Sequence, residues 1–228
     1  MKYFIGLDDT DNLESRGTGH LARVLATALG ESFRVHGVTR HQLLQDKRVP
    51  MTAKNSCATV IFESDSRSLE EIALYARKIM LDDFQPGSDP GLCVASRVNA
   101  EIIAYGGRAQ REFLQQGEAR DLASAHGLYL EGLGGDEGGV IGALAAVGLA
   151  ALGNDGRYVQ VGSIRDLMGL QPLSAVLTAG ITAVHTMRNE PVLDGLVLTD
   201  KMRPARRNGQ PILFVEQQDD YWLPLKLD

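Results

Sequence analysis

The spacing of apolar positions changes along this chain, and each change marks an element. From Lys2 to Leu7 the apolar run is continuous and reads as a buried strand. After a polar loop from Asp8 to Gly19, apolar residues recur from His20 onward at Leu21, Val24, Leu25, Ala28 and Leu29, which is helical spacing. Strands are predicted over Phe33 to Leu44 and Cys57 to Glu63, with a polar loop around Pro50 between them. Ser68-Leu69-Glu70-Glu71 is a capping-box signature. It precedes Ile72, Tyr75, Ala76 and Ile79 on one helical face, so a helix is predicted to end near Met80. A further helix after Ser96 carries Val98, Ile102 and Ile103, and a short one from Glu118 to His126 leads into a strand over Leu128 to Leu133.

The segment from Val140 to Leu149 is apolar nearly all round, too short to span a bilayer, and stops at Gly153, a residue suited to a left-handed helix end. It is predicted as a buried core helix. Gly142 and Gly148 would let neighbouring backbone come close, each at a cost of about 1 kcal/mol in helix propensity relative to Ala. Beyond Asp155 the composition shifts; a short helix is expected over Ser163 to Leu167, followed by strand-like runs. Asn208-Gly209, set between Arg206-Arg207 and Ile212-Leu213-Phe214-Val215, signals a hairpin turn. Gln218-Asp219-Asp220 then turns the chain into Tyr221-Trp222-Leu223. Alternating strands and helices give an α+β or α/β class with a mixed sheet. The division expected is a main unit over residues 1–156 and a small β-rich region over 157–228.

Composition narrows the function classes. With 44% hydrophobic and 23% charged residues in 228, the chain describes a folded globule rather than a disordered one. A net charge of −6 argues against broad, sequence-independent nucleic-acid binding, which relies on Lys and Arg, and leaves room for a local basic patch. Cys57 and Cys93 form no C-x-x-C pair and are too few for a disulfide framework or a cysteine zinc site, so they read as thiols in a reducing compartment. Only five uncharged residues separate Lys2 from Asp8, so neither a signal peptide nor a membrane span is expected there, and the cytoplasm is the default location.

The candidate chemistry begins where the first strand ends, in Asp8-Asp9-Thr10-Asp11. Carboxylates this close repel unless something positive intervenes. A cation is the economical remedy, and Mg²⁺ suits a site of one or two carboxylates plus substrate phosphates. The alternative is a polar turn with Asp side chains bonding local backbone. Successive amides in the loop Gly134-Gly135-Asp136-Glu137-Gly138-Gly139, entering a helix, form an anion site suited to phosphate. The loop is neither a Walker A sequence nor a standard G-x-G-x-x-G, and a flexible loop capping a buried helix explains its glycines equally well. Thr18 is either a helix N-cap or a phosphate contact and acceptor, and Arg16 and His20 beside it can offset phosphate charge. Lys54 and Asn55 are candidates for phosphate or nucleobase contact. Arg203, Arg206 and Arg207 form a small basic cluster on the predicted hairpin, suited to phosphate or RNA, or else to a solvated turn.

Taken together, these residues resemble the archaeal isoleucine-tRNA agmatinylcytidine synthetase (TiaS) family. The resemblance rests on Ile5-Gly6-Leu7-Asp8-Asp9-Thr10-Asp11, on Thr18 downstream, on Pro50 to Ala58 with Lys54 and Asn55, on Asp89-Pro90-Gly91, and on Gly138 to Gly148. It covers roughly the first 155 residues. It implies an atypical kinase-like domain that binds ATP and Mg²⁺, with Asp8, Asp9 and Asp11 organising metal and phosphates. It implies that Thr18 matches a threonine proposed to be phosphorylated, and that Thr10, Gly17, Gly19, Lys54, Asn55, Gly134, Gly135, Gly138, Gly139, Ile141 and Gly142 face nucleotide. Family members continue through a ferredoxin-like domain, an OB-fold and a zinc ribbon that recognise tRNA. The expectation here is a stand-alone relative whose residues 157–228 form a small β-rich region, open between a substrate lid, a dimer interface and a reduced ferredoxin-like unit.

The resulting expectation is an ATP- and Mg-dependent phosphotransferase or ligase acting on an unidentified small-molecule acceptor, with tRNA as a further partner to consider and a homodimer open. The alternative is a nucleotide-sensing or RNA-associated module without turnover that uses Arg203, Arg206 and Arg207. A third reading is an acidic site that binds metal for structure alone.

Overall fold

The computed structural model describes residues 1–49 and 54–227, so the loop expected around Pro50 lies outside the described residues. The chain divides into two compact units, Met1–Leu152 and Gly153–Asp228.

In the first unit, strand β1 (Lys2–Asp8) runs through the middle of a five-strand sheet with β2 (Arg34–Gln42), β3 (Ser56–Glu63), β4 (Gly91–Ala95) and β5 (Tyr129–Gly132) in the order β5-β4-β1-β3-β2. Every pairing in it is antiparallel. Helix α1 (Thr18–Gly30) connects β1 to β2, and α2 (Leu69–Asp82) connects β3 to β4. The order β4-β1-β3-β2 with these two crossovers is the ferredoxin-like split β-α-β winding. The structure has this winding in the N-terminal unit.

Along β1 the side chains alternate between the two faces of the sheet. Tyr3, Ile5 and Leu7 point to one face; Phe4, Gly6 and Asp8 point to the other. Against the second face lies α5 (Val140–Leu152), the predicted core helix, in which every residue from Gly142 to Ala150 is buried. Outside it pack α3 (Ala100–Ala109) and α4 (Gln116–Ala125), with Ile102, Tyr105, Ala119 and Ala123 in the same cluster as Leu144 and Leu149. The close approach foreseen for the helix glycines is real. A methyl group on Gly148 would lie 2.2 Å from the Ile102 carbonyl oxygen, and one on Gly6 would lie 2.1 Å from that of Ala143.

Two helical faces are rotated from the expected ones. In α1 Val24 is exposed, while Ala22 and Ala26 join Leu21, Leu25 and Leu29 in the core. In α2 Tyr75 is exposed, while Ala73 and Met80 are buried with Ile72 and Ala76. The capping box forms as read: Ser68 Oγ accepts from the Glu71 amide at 3.1 Å, and Glu71 Oε2 accepts from the Ser68 amide at 2.8 Å.

The second unit holds β6 (Arg157–Gln160), β7 (Leu170–Pro172), α6 (Leu173–Thr178), β8 (Ala183–Thr186), β9 (Leu196–Leu198), β10 (Ala205–Arg207), β11 (Gln210–Gln217) and β12 (Trp222–Pro224). Its sheet is mixed, since β8 runs parallel to β11 and β9 parallel to β12. The hairpin forms at Asn208-Gly209, both left-handed at φ 49° and 73°, between β10 and β11. The helix expected over Ser163 to Leu167 is instead a run of turns with isolated bonds such as Asp166 N to Ser163 O at 2.9 Å, and the helix lies at Leu173–Thr178.

Candidate functional site

Asp8 ends β1 on the face that meets α5. Its carboxylate lies so near the first turn of α5 that a methyl group on Gly142 would stand 1.7 Å from Asp8 Oδ2. Asp9 follows with φ at 50°, a left-handed conformation that aspartate tolerates better than most residues. In the loop beyond, Asn12 Oδ1 accepts from the amides of Glu14 and Ser15, both at 2.9 Å, an Asx turn that reverses the chain toward α1. Asp11 Oδ1 then accepts from the Thr18 hydroxyl at 3.0 Å and the Thr18 amide at 3.3 Å. Gly17, just before the helix, has no side chain with which to cap it, and the Asp11 carboxylate serves that end, where the helix dipole favours negative charge. Thr18 is therefore not the N-cap considered from sequence. It is the first helical residue, buried, and its hydroxyl donates to Asp11.

These residues open on a cavity of about 240 Å³. Asp8, Asp9, Asp11, Asp89, Asp136 and Glu112 line it, and Leu43, Leu44, Phe113, Leu114 and Ile141 add an apolar lining. Burial, then the charge of Asp9, pushes the Asp8 carboxyl up to about 8. Burial, then Asp89, Asp11 and Asp136, pushes Asp9 up to about 6. Both shifts come from the cost of accumulating negative charge in a confined space, and a cation would relieve both. Among the described residues no three His, Cys, Asp or Glu side chains stand close enough to hold a metal ion by themselves.

Asp89 and Asp136 were absent from the candidate residues read from sequence. Each was visible within a quoted motif, Asp89 before Pro90-Gly91 and Asp136 among the glycines, without a spacing that assigned it a role. The structure joins them: Asp89 Oδ1 accepts from the Asp136 amide at 2.8 Å, and Asp136 Oδ1 accepts from the Gly138 amide at 2.7 Å. Gly135, at φ 61°, leaves room for the Asp89 carboxylate, since a methyl group there would sit 1.5 Å from Asp89 Oδ1. The Gly139 amide donates to the Asp89 carbonyl at 2.9 Å, and those of Glu137, Val140 and Ile141 donate to Gly134, Glu137 and Gly138 carbonyls. The glycine loop thus uses these amides inside the protein. It does not present the open row of N–H groups that its pattern suggested.

Of the other expected residues, Lys54, Asn55, Gly138, Gly139, Ile141 and Gly142 line the cavity with Asp8, Asp9, Asp11 and Thr18. Asn55 Nδ2 donates to the Leu44 carbonyl at 2.9 Å, so its amide holds the adjoining wall. Thr10 is buried, its hydroxyl without a hydrogen-bond partner among the described residues, and it does not line the cavity. Gly134 packs against Phe84 and Gly135 against Asp89, behind the lining. Gly17 and Gly19 line a second groove next to the first. The hairpin arginines do not form one surface: Arg206 is buried at 5% exposure, while Arg207 lies over the Phe214 ring at 5.8 Å. Burial, then Arg157 and Arg165, holds the Arg203 guanidinium below its usual range.

No protein-family model and no curated protein matches the chain. Solved structures do. The chain is similar to a tRNA fluorescent labeling enzyme at TM-score 0.57 and 21% identity, over 65% of this chain and 36% of that one. It is similar to apo TiaS, a tRNA agmatidine synthetase, at TM-score 0.55 and 21% identity, over 65% of this chain and 35% of that one. The complex of TiaS with tRNA and ATP gives TM-score 0.55 and 22% identity over 65% and 36%. This chain spans 36% or less of the length of those proteins, and what it shares with them is a TiaS-like fold.

Proposed function

We propose that the N-terminal unit binds ATP with Mg²⁺ and is the catalytic part of an ATP-dependent phosphotransferase or ligase. The observation that carries this reading is convergence. Carboxylates from the end of β1, from the loop after it, from Asp89 before β4 and from Asp136 before α5 line one cavity that also carries an apolar lining. Mg²⁺ takes one or two carboxylates together with phosphate oxygens. Asp8, Asp9 and Asp11 line the cavity together, and phosphate oxygens would complete the shell that one or two of them begin. Among the described residues no closed set of three ligands stands ready for a purely structural ion, the third reading from sequence.

One or two of Asp8, Asp9 and Asp11 are assigned to the ion, and Leu43, Leu44, Phe113, Leu114 and Ile141 to the base. When bound, ATP and its ion supply an activated phosphoryl or adenylyl group. Thr18 holds its hydroxyl at the cavity wall through its bond to Asp11, and Lys54 adds a positive charge to the same wall. Similarity to TiaS, solved with ATP, supports the nucleotide. A non-catalytic RNA module built on Arg203, Arg206 and Arg207 draws no support from Arg206, which is buried.

Calorimetric titration of ATP with and without Mg²⁺, followed by analysis of the nucleotide products, tests the reading. The expected result is Mg-dependent binding that weakens at least about tenfold in Asp9→Asn, a loss of about 1.4 kcal/mol, while the fold is retained. Equal affinity in the variant and the parent would remove the assignment.

A further inference from the structure

A second groove, of about 520 Å³, lies beside the first and shares Asp11, Thr18, Lys54 and Ser56 with it. Its remaining chemistry is of opposite sign: His20, Arg23 and Arg40 complete it, and Asp11 is its one carboxylate. The two depressions flank the same end of β1 on different faces of the sheet. Arg40 pairs with Ala58, and Ala58 pairs with Leu7, so Arg40 shares the face of Leu7 and α1, whereas Asp8 shares the face of α5.

The arrangement of cations is specific. His20 and Arg23 are three residues apart on one side of α1, and Arg16, which precedes the helix, reaches back to His20 from outside the groove lining. Arg16 Nη1 lies 3.5 Å from His20 Nε2, and Arg23 Nη2 lies 3.2 Å from His20 Nδ1, so one imidazole stands between two guanidiniums. Across the groove, Arg40 Nε donates to Ser56 Oγ at 3.0 Å, which fixes that guanidinium in place. Asp11 serves the start of α1, and around it Arg23, Arg40 and Lys54 bring three cationic side chains to a groove lined by that one carboxylate, a lining of net positive charge that draws an anion. A guanidinium fork suits phosphate in particular, because two parallel N–H bonds match two phosphate oxygens.

We propose that this groove binds the phosphate group of a second substrate, and so places a phosphate-bearing acceptor beside Thr18. The word acceptor rests on the nucleotide reading of the acidic cavity; the anion site stands on the groove alone. The shared chemistry is a phosphate ester, whether carried by a small phosphomonoester or by the backbone of a polynucleotide.

The test titrates the full chain with ribose 5-phosphate and, separately, with a short single-stranded RNA lacking a terminal phosphate. Each titration is run with and without a saturating non-hydrolysable ATP analogue and Mg²⁺. At least one probe is expected to bind in both conditions and to weaken at least about tenfold in the double variant Arg23→Gln/Arg40→Gln. Arg34→Gln, the same charge change as Arg23→Gln alone but at an exposed position on β2, is expected to bind like the parent. Binding of ribose 5-phosphate alone assigns a small phosphomonoester, and binding of the RNA assigns a backbone phosphate. The proposal is overturned if neither probe binds the parent, if the double variant binds as the parent does, or if the analogue displaces the probe. Should the double variant melt early, Arg23→Gln alone carries the comparison, and the parent titrations decide in any case. Failure of ATP binding with arginine-dependent probe binding retained would remove the nucleotide reading and leave the groove. ATP binding without probe binding would do the reverse.

Discussion

The acidic cavity and the basic groove share Asp11, Thr18, Lys54 and Ser56, and they are built in different ways. The cavity is assembled from backbone pressed against backbone. A methyl group on Gly91 would sit 2.1 Å from the Gly139 carbonyl, and one on Gly139 would sit 2.5 Å from the Asp89 carbonyl oxygen. The groove is assembled from long side chains around glycines with room to spare, since Gly19 has nothing within 4 Å of an added methyl and Gly17 only Asp11 Oδ2 at 3.7 Å. A site that must hold carboxylates together against their repulsion requires a rigid frame. A site of long, charged side chains tolerates a looser one.

The sharpest way to break that contrast is Gly91→Ala. In an ordinary strand this change would gain stability, since glycine loses more chain entropy on folding than alanine. Here the new methyl meets Gly139 and Val140 main-chain atoms that cannot rotate away. The expected cost is about 3 kcal/mol, the upper part of the range for overpacking, with a fall in melting temperature on the order of 10 °C. A melting curve superimposable on the parent's would show that the cavity frame is not tight.

The next effect is electrostatic and smaller. Asp8 and Asp9 have folded-state pKa values of about 8 and about 6, above the ordinary 3.8. Between those limits the folded protein holds protons that the unfolded chain has released, so stability falls as pH rises. The contribution of this pair is full below about pH 4 and is lost through the folded pKa values. Asp46, Glu63, Asp65 and Glu71 are shifted the other way, so their opposite slope is confined to pH below the ordinary carboxylate range. Without added metal, the melting temperature is therefore expected to drop between pH 5.5 and pH 8. Asp8→Asn should flatten that drop and raise stability at pH 8 by on the order of 1–2 kcal/mol, because Asp9, Asp11, Asp89 and Asp136 still face it. The same drop in parent and variant would show that Asp8 does not carry the strain.

How far these features were legible in the sequence follows from their range along the chain. β1, α5, the Ser68 capping box and the Asn208-Gly209 hairpin are local patterns, and each lies where its residues implied. β4 went unread because Leu92-Cys93-Val94-Ala95 is a short apolar run buried on both faces, with no alternation to mark it as strand. The split winding is set by pairing between distant segments, for which no local signature exists. The same limit explains the site. Asp8, Asp9 and Asp11 announce themselves by adjacency, whereas Asp89 and Asp136 join them only because a loop folds back 47 residues later to bond Asp89. The apolar wall from Phe113 and Leu114 belongs to a connection between helices, where one exposed and one buried apolar residue carry no periodic signal.

The smallest effect separates the groove from the cavity most cleanly, because it has the opposite sign. Gly19 is the second residue of α1, and space surrounds the position an added methyl would take. Glycine in a helix costs up to about 1 kcal/mol relative to alanine through the entropy lost on folding, somewhat less near an end. Gly19→Ala is therefore expected to raise stability by about 0.5 kcal/mol, a shift of about 1–2 °C, where Gly91→Ala lowers it several times as far. Thermal melts of the two variants read both signs in one experiment. If Gly19→Ala were instead destabilising, the groove would be packed as tightly as the cavity and the contrast between the two would fail. If it stabilised the fold yet blocked a phosphate probe, the ligand itself would be what fills the open space beside Thr18.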